Sequence, residues 1–234
     1  MTAECLLSAW EQGARRHPID RALLMFSLTN SDLPPGQLAD VPLGVRNAAL
    51  MQLHRDCFGN RLLAWLDCRA CGERMEFELD ATQLPPAQAQ TVGVIEVDGH
   101  RFEPPTSRHL ARLVNSSDDP EAAARQLLHD CAESAASLPD DRQALTELLH
   151  AVETVIEDAD PWANIALDVC CPACGQEDEA DFDIASYLWN KIEHRAQYLL
   201  DDIHLLAQSY GWTETDILTL SETRRAAYVT KVQS

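Results

Sequence analysis

The chain has 234 residues, with 38 acidic against 18 basic side chains, a formal net charge of −20, 46% hydrophobic residues and 24% charged ones. That balance belongs to a globular protein long enough to bury one large core or two small ones. It excludes a phosphate-binding surface, which needs clustered Lys and Arg: the lysines are Lys191 and Lys231, and the basic pairs Arg15–Arg16 and Arg224–Arg225 stand near acidic residues.

The apolar and helix-favouring stretch Cys5–Arg16 predicts a short helix, and Asp20–Leu28 a second, with Leu23, Leu24, Phe26 and Leu28 available for a core. Pro34, Pro35, Gly36, Pro42 and Gly44 make the stretch from Ser31 to Gly44 a loop. Val45, Ala49, Leu50, Leu53 and Cys57 then recur at helical spacing until Gly59 stops them.

A pattern follows that occurs twice. The apolar run Leu62–Leu66 leads into Cys68-Arg-Ala-Cys71-Gly72 and the alternating strand Met75-Glu-Phe77-Glu-Leu79-Asp80. Further on, Ile165–Val169 leads into Cys171-Pro-Ala-Cys174-Gly175 and an acidic strand ending Asp181-Phe182-Asp183-Ile184. Both copies read strand, CxxCG, strand, which is the pattern of the two hairpins of a zinc ribbon separated by an insertion. Within the insertion, Val92–Val97, Asp98-Gly99 and His100–Phe102 predict a hairpin with an Asp-Gly turn. Asp119-Pro120-Glu121 opens a helix to about Ala136, and Pro139-Asp-Asp opens another to about Glu157, whose Leu145, Leu148, Leu149, Val152, Val155 and Ile156 form one apolar face. The C-terminal part is helical: Leu188, Ile192, Leu199, Ile203 and Leu206 share a stripe from about Ile184 to Tyr210, Gly211 ends it, and shorter helices begin at Thr213 and Ser221.

The expected fold is therefore α+β and mainly α-helical. A helical N-terminal segment covers residues 1–60, the first ribbon hairpin 61–84, an insertion of hairpin plus two helices 85–160, the second ribbon hairpin 161–184, and C-terminal helices 185–234.

A CxxC pair presents two thiolates to one face of a tetrahedral metal, and the trailing glycine permits the left-handed backbone that turns amides toward sulfur. Two such pairs, each between strands, predict one structural zinc on Cys68, Cys71, Cys171 and Cys174, with the four sulfurs within about 4 Å of each other. Four thiolates leave no open position for a substrate or water. Redox-active pairs and metal-free cysteines are the alternatives; neither pair sits at a helix N-terminus in a βαβ pattern, as a redox motif would. Cys5, Cys57, Cys131 and Cys170 have no pairing pattern and read as small buried hydrophobes. His17, His54, His129 and His150 are scattered singly, and the acidic group Asp178, Glu179, Asp181, Asp183 lacks the glycine and spacing of a calcium loop.

No G-x-S-x-G, H-E-x-x-H, phosphate loop or dinucleotide fingerprint occurs, so no enzymatic activity and no small-molecule substrate are expected. Tyr210 and Trp212 flank a helix end in a tail that also carries Arg224 and Arg225, the residue types that binding hot spots favour. The expectation is a partner-binding site on these four residues, with core packing of the aromatics as the alternative. No run of about 18 apolar residues occurs, and Met1–Trp10 lacks a basic start followed by an apolar stretch, so neither a membrane span nor a secretory signal is expected and the expected location is the cytoplasm.

The order Cys68-Arg-Ala-Cys71-Gly72, Cys171-Pro-Ala-Cys174-Gly175, Leu188-Trp189-Asn-Lys-Ile192, Ile203-His204-Leu205-Leu206-Ala207, Tyr210-Gly211-Trp212-Thr-Glu-Thr-Asp-Ile217-Leu218 and Arg224-Arg225-Ala-Ala-Tyr228 resembles the baseplate-hub assembly proteins of T-even-type contractile phages and their relatives in bacterial contractile injection systems. Leu43-Gly44-Val45-Arg46-Asn47 and Cys57-Phe58-Gly59 extend the likeness toward the N-terminus. The resemblance implies a non-enzymatic role in building a tail baseplate, as a chaperone or a component of the particle, with hub, spike or tube proteins as partners. The alternative is a zinc-ribbon adaptor or regulator of another protein complex.

Overall fold

The computed structural model describes residues 1–84, 93–114, 119–135 and 138–233. The fold is mixed α+β, helices joined to small antiparallel hairpins. The chain divides into two units, one of Met1–Leu24 with Ser186–Ser234 and one of Met25–Ala185. The predicted strand begins at Val92, outside the described residues, and the helix expected to run to about Ala136 ends instead at Cys131, where Ala132 turns extended.

In the first unit, α1 (Ala3–Gly13) starts where the Thr2 hydroxyl accepts the Cys5 amide, and it buries Leu6, Leu7 and Ala9. Its last residue is glycine for a spatial reason: a Cβ at Gly13 would overlap the Trp189 ring. The Arg21 guanidinium lies over that ring, 4.7 Å from its centroid, and Arg21 also donates to the Gly13 and Ala14 carbonyls at 3.0 and 2.8 Å. Arg21 belongs to α2 (Pro18–Thr29), whose first residue is the proline favoured there. The long helix α7 (Ile184–Tyr210) buries Leu188, Ile192, Leu199, Ile203 and Leu206, the predicted stripe. Gly211, at φ +69°, ends it. The short α8 (Glu214–Leu218) is capped by Thr213 and Asp216 reciprocally, and α9 (Glu222–Gln233) is tied back to α7 by the ion pairs Arg225–Asp202, at 3.1 Å, and Arg195–Glu222.

In the second unit, α3 (Leu43–Phe58) runs into β1 (Arg61–Asp67), which pairs with β2 (Arg74–Asp80) from Arg61↔Asp80 to Asp67↔Arg74. The insertion pairs β3 (Ile95–Val97) with β4 (His100–Phe102) through the Asp98-Gly99 turn, both residues at positive φ. These strands pack on α5 (Pro120–Cys131) and α6 (Arg142–Ala159): Ile95, Val97, Phe102, Leu128, Leu138, Leu145, Leu148 and Val152 form one buried cluster, with Leu149, Val155 and Ile156 at its margin. Then β5 (Ala166–Cys170) pairs with β6 (Glu177–Asp181).

Two elements differ from expectation. Helix α4 (Ser107–Leu113) was not legible from apolar periodicity in a seven-residue segment; its signal is the cap, in which Thr106 and His109 bond each other's backbone amides. The loop before α3 also contains a 3-10 turn at Leu38–Asp40 that buries Leu38. No helix among the described residues is long and apolar enough to cross a membrane.

Candidate metal centre

The two CxxCG segments fold into the same turn. In the first, the Cys68 amide donates to the Glu73 carbonyl at 2.8 Å and the Gly72 amide to the Cys68 carbonyl at 2.8 Å. In the second, Cys171 donates to Gln176 at 2.9 Å and Gly175 to Cys171 at 2.8 Å. Gly72 and Gly175 have φ of +75° and +73°, a backbone that a Cβ strains, so glycine follows each second cysteine for a conformational reason. The reversal that these glycines allow points amides inward. Cys71 and Ala70 amides bond the Cys68 sulfur, the Glu73 amide bonds that of Cys71, and the Gln176 amide that of Cys174.

The turns face each other. Cys68 Sγ lies 3.8 Å from Cys174 Sγ and Cys71 Sγ lies 3.7 Å from Cys171 Sγ, and all four sulfurs fall within 4.8 Å of one another. The two cross-hairpin contacts meet the expected separation of about 4 Å; the set as a whole is slightly wider. Cys68 and Cys171 are buried on Met75, with Leu66 and Val169 beside them, while Cys71 and Cys174 are exposed. Arg69 of one turn pairs with Asp178 of the other hairpin at 3.3 Å. Four soft donors in this arrangement can hold a metal ion.

Charge within the cluster is divided unevenly. The Cys71 and Ala70 amides draw the Cys68 thiol down to about 7. At Cys71 the Glu73 amide also favours the thiolate, but Cys174, burial, Cys171 and Cys68 prevail and push it up to about 12. Cys174 is held above its ordinary value: the Gln176 amide and Cys71 favour its charged form, while burial, Cys171 and Cys68 outweigh them. Cys71 and Cys174 thus resist ionisation beside their neighbours, and a divalent cation is the natural counter-charge.

A buried polar network fixes the roots of both hairpins, and nothing in residue spacing announced it. Asn47 Oδ1 accepts from Arg46 Nε and Nη2 at 3.1 and 2.9 Å, Arg46 Nη1 donates to Ser107 Oγ at 2.8 Å, and Asn47 Nδ2 donates to the Trp162 carbonyl at 2.9 Å. Burial lowers the Arg46 guanidinium from its ordinary value, partly offset by the negative charge of Asp183. Beside it, burial raises the Asp160 carboxyl even though the Trp162, Ala163 and Gly44 amides bond it. Gly44 is glycine because a Cβ there would overlap that carboxylate. One face of α3 thereby grips the segment leading into β5, while its C-terminus leads into β1.

The other predicted site residues lie in the first unit. Tyr210 and Trp212 stack with centroids 4.8 Å apart, and Tyr228, which sequence reading left out of the site, meets them edge-on at 5.9 and 4.9 Å. Arg224 is exposed, whereas Arg225 is buried, 5% accessible, and bonded to Asp202. The structure thus joins the two aromatics and separates the two arginines in role. Among the remaining cysteines, Cys131 is buried beside His109, at 3.5 Å from Nδ1, and burial pushes its thiol up to about 12. Cys57 is half-buried, while Cys5 and Cys170 are exposed, contrary to the expectation of burial. Both lie on the solvent side of an amphipathic element, a distinction their spacing alone did not reveal. His54 is buried, its ring 5.5 Å from that of Phe58.

No protein-family model, curated protein or solved structure matches the chain.

Proposed function

We propose that this chain is a non-enzymatic assembly factor or baseplate component of a contractile, phage tail-like injection system, working by protein–protein binding around a split zinc ribbon with one structural zinc. The observation that carries the zinc reading is the convergence of four cysteine sulfurs from segments 100 and 106 residues apart. A zinc–sulfur bond of about 2.3 Å gives a tetrahedron with edges near 3.8 Å, and the cross-hairpin contacts of 3.8 and 3.7 Å already have that length. Drawing in the remaining separations, at most 4.8 Å, takes about 1 Å of side-chain movement. Bound there, the ion would supply folding energy and no Lewis-acid chemistry, since thiolates fill every position.

The wider role is supported by the ordered resemblance of the two CxxCG turns, the α7 stripe and the Tyr210-Gly211-Trp212 tail to baseplate-hub assembly proteins. In this reading the tail docks a hub, spike or tube component, with Tyr210, Trp212 and the exposed Arg224 as its contact residues and Arg225 holding α9 on α7. Deleting the gene in its host should abolish assembled baseplates in electron micrographs, and expression from a plasmid should restore them. Intact contractile particles in the deletion strain would overturn the role, leaving the metal reading untouched.

A further inference from the structure

The metal reading leaves one property of the cluster unused: two sulfur contacts shorter than 4 Å run between the hairpins, and each joins an exposed cysteine to a buried one. Cys174 is exposed and touches buried Cys68 at 3.8 Å; Cys71 is exposed and touches buried Cys171 at 3.7 Å. The turns are held by their own backbone hydrogen bonds, and the Arg69–Asp178 pair spans the hairpins independently of any sulfur. Closing either contact to a disulfide shortens a sulfur separation of 3.8 or 3.7 Å to about 2 Å.

We propose that Cys68–Cys174 and Cys71–Cys171 are a paired oxidation site for hydrogen peroxide, forming two cross-hairpin disulfides that replace the metal as the tether between β1–β2 and β5–β6. This rests on the reading of the four cysteines as one site, not on which metal they hold. The chemistry is the same in each pair. One sulfur of the pair, as its thiolate, attacks one peroxide oxygen; the O–O bond breaks, one water leaves, and a sulfenic acid remains. The other sulfur of the pair attacks the sulfenic sulfur, the S–O bond breaks, and a second water leaves. Each pair gives up two electrons and two thiol protons to one peroxide, so the full site consumes two peroxides and yields four waters. A disulfide sulfur carries no thiolate charge, so the oxidised site and the metal-loaded site exclude each other. The partner cysteine, at 3.7 or 3.8 Å, captures the sulfenic acid before a second peroxide reaches it. Oxidation would thus release the metal while leaving both hairpins joined.

The test treats the full chain, with Cys170→Ser to remove the exposed neighbouring thiol, with graded hydrogen peroxide. Disulfides are mapped by non-reducing proteolysis and mass spectrometry while a chromogenic chelator follows zinc. The expected result is linked peptides 68–174 and 71–171, two peroxides consumed per chain, and a melting temperature roughly 5–10 °C above that of the metal-stripped, reduced chain. Disulfides within each motif, 68–71 and 171–174, or sulfinic acids in their place, would overturn the proposal even if zinc is released. Cross-hairpin disulfides in a chain that never binds metal would sustain it while defeating the zinc reading, so the two failures are told apart.

Discussion

The β1–β2 hairpin has seven residues in each strand, and its inner face is apolar: Leu62 is fully buried, and Ala64, Leu66, Met75, Phe77 and Leu79 are buried or half-buried with it. The β5–β6 hairpin has five in each strand, its outward positions include Asp168, Glu177, Glu179 and Asp181, and its half-buried positions hold nothing larger than Leu167 and Val169. The two carry cysteine turns with the same backbone hydrogen bonds, yet the first has an apolar surface that stabilises it at about 25 cal/mol per Å² buried, and the second has little. The lesson is that one turn serves unequal hosts: β1–β2 uses the cysteines as an addition, and β5–β6 relies on them and on the Trp162 anchor that precedes it.

On the proposed zinc reading, removing the metal gives the largest expected effect. Structural zinc sites of this kind contribute apparent free energies of about 10–16 kcal/mol, so chelation or Cys171→Ser should lower the melting temperature by at least roughly 10 °C. Hydrogen exchange should show the amides of Ala166–Asp181 opening well before those of Arg61–Asp80. Simultaneous opening would erase the asymmetry between the hairpins. Cys5→Ser, on the exposed face of α1, should stay within about 0.5 kcal/mol of the parent chain.

Next in size is the network beneath both hairpins. Gly44→Ala drives a methyl group into the Asp160 carboxylate and should cost about 2–3 kcal/mol in urea unfolding. Arg46→Met strands the Asn47 carbonyl and the Ser107 hydroxyl and belongs in the same range. Because α3 leads into β1 and grips the approach to β5, these changes should loosen both hairpins together, in contrast to chelation. If exchange after Gly44→Ala is confined to the insertion helices, α3 does not anchor the hairpin roots.

The cysteine pairing was legible in the sequence because CxxCG between strand-like runs is a local pattern, and so was the α7 stripe, which repeats over many turns. The Arg46–Asn47–Trp162 network was not. Its residues are 115 positions apart across Asn47 and Trp162, and each is ordinary in its own segment until the fold brings them together. Likewise the sequence offered Arg224 and Arg225 as equivalents, and only packing against Asp202 separated them. Helix α4 is too short for periodicity, although its Thr106 cap was readable.

Smaller effects are expected from the two turn glycines. Gly72→Ala and Gly175→Ala impose the same backbone strain, about 1 kcal/mol each, at φ of +75° and +73°. Equal strain should nevertheless weaken metal affinity more at Gly175, whose hairpin has less packing to hold the turn in place; equal affinities in a competitive chelator titration would remove that distinction. Trp212→Ala, outside the unit that carries both hairpins, should leave zinc content and hairpin exchange unchanged while reducing capture of a purified hub or tube protein. A mutant that unfolds would make Trp212 a packing residue and end its docking role.

The central claim, one metal shared by two hairpins, is tested most directly by the zinc content of the purified chain under reducing conditions. One zinc per chain is expected, falling to none in both Cys71→Ser with Cys68→Ser and Cys171→Ser with Cys174→Ser, since neither hairpin alone supplies four ligands. No zinc in the parent chain, two zincs, or retention of one after either double substitution would contradict the shared site.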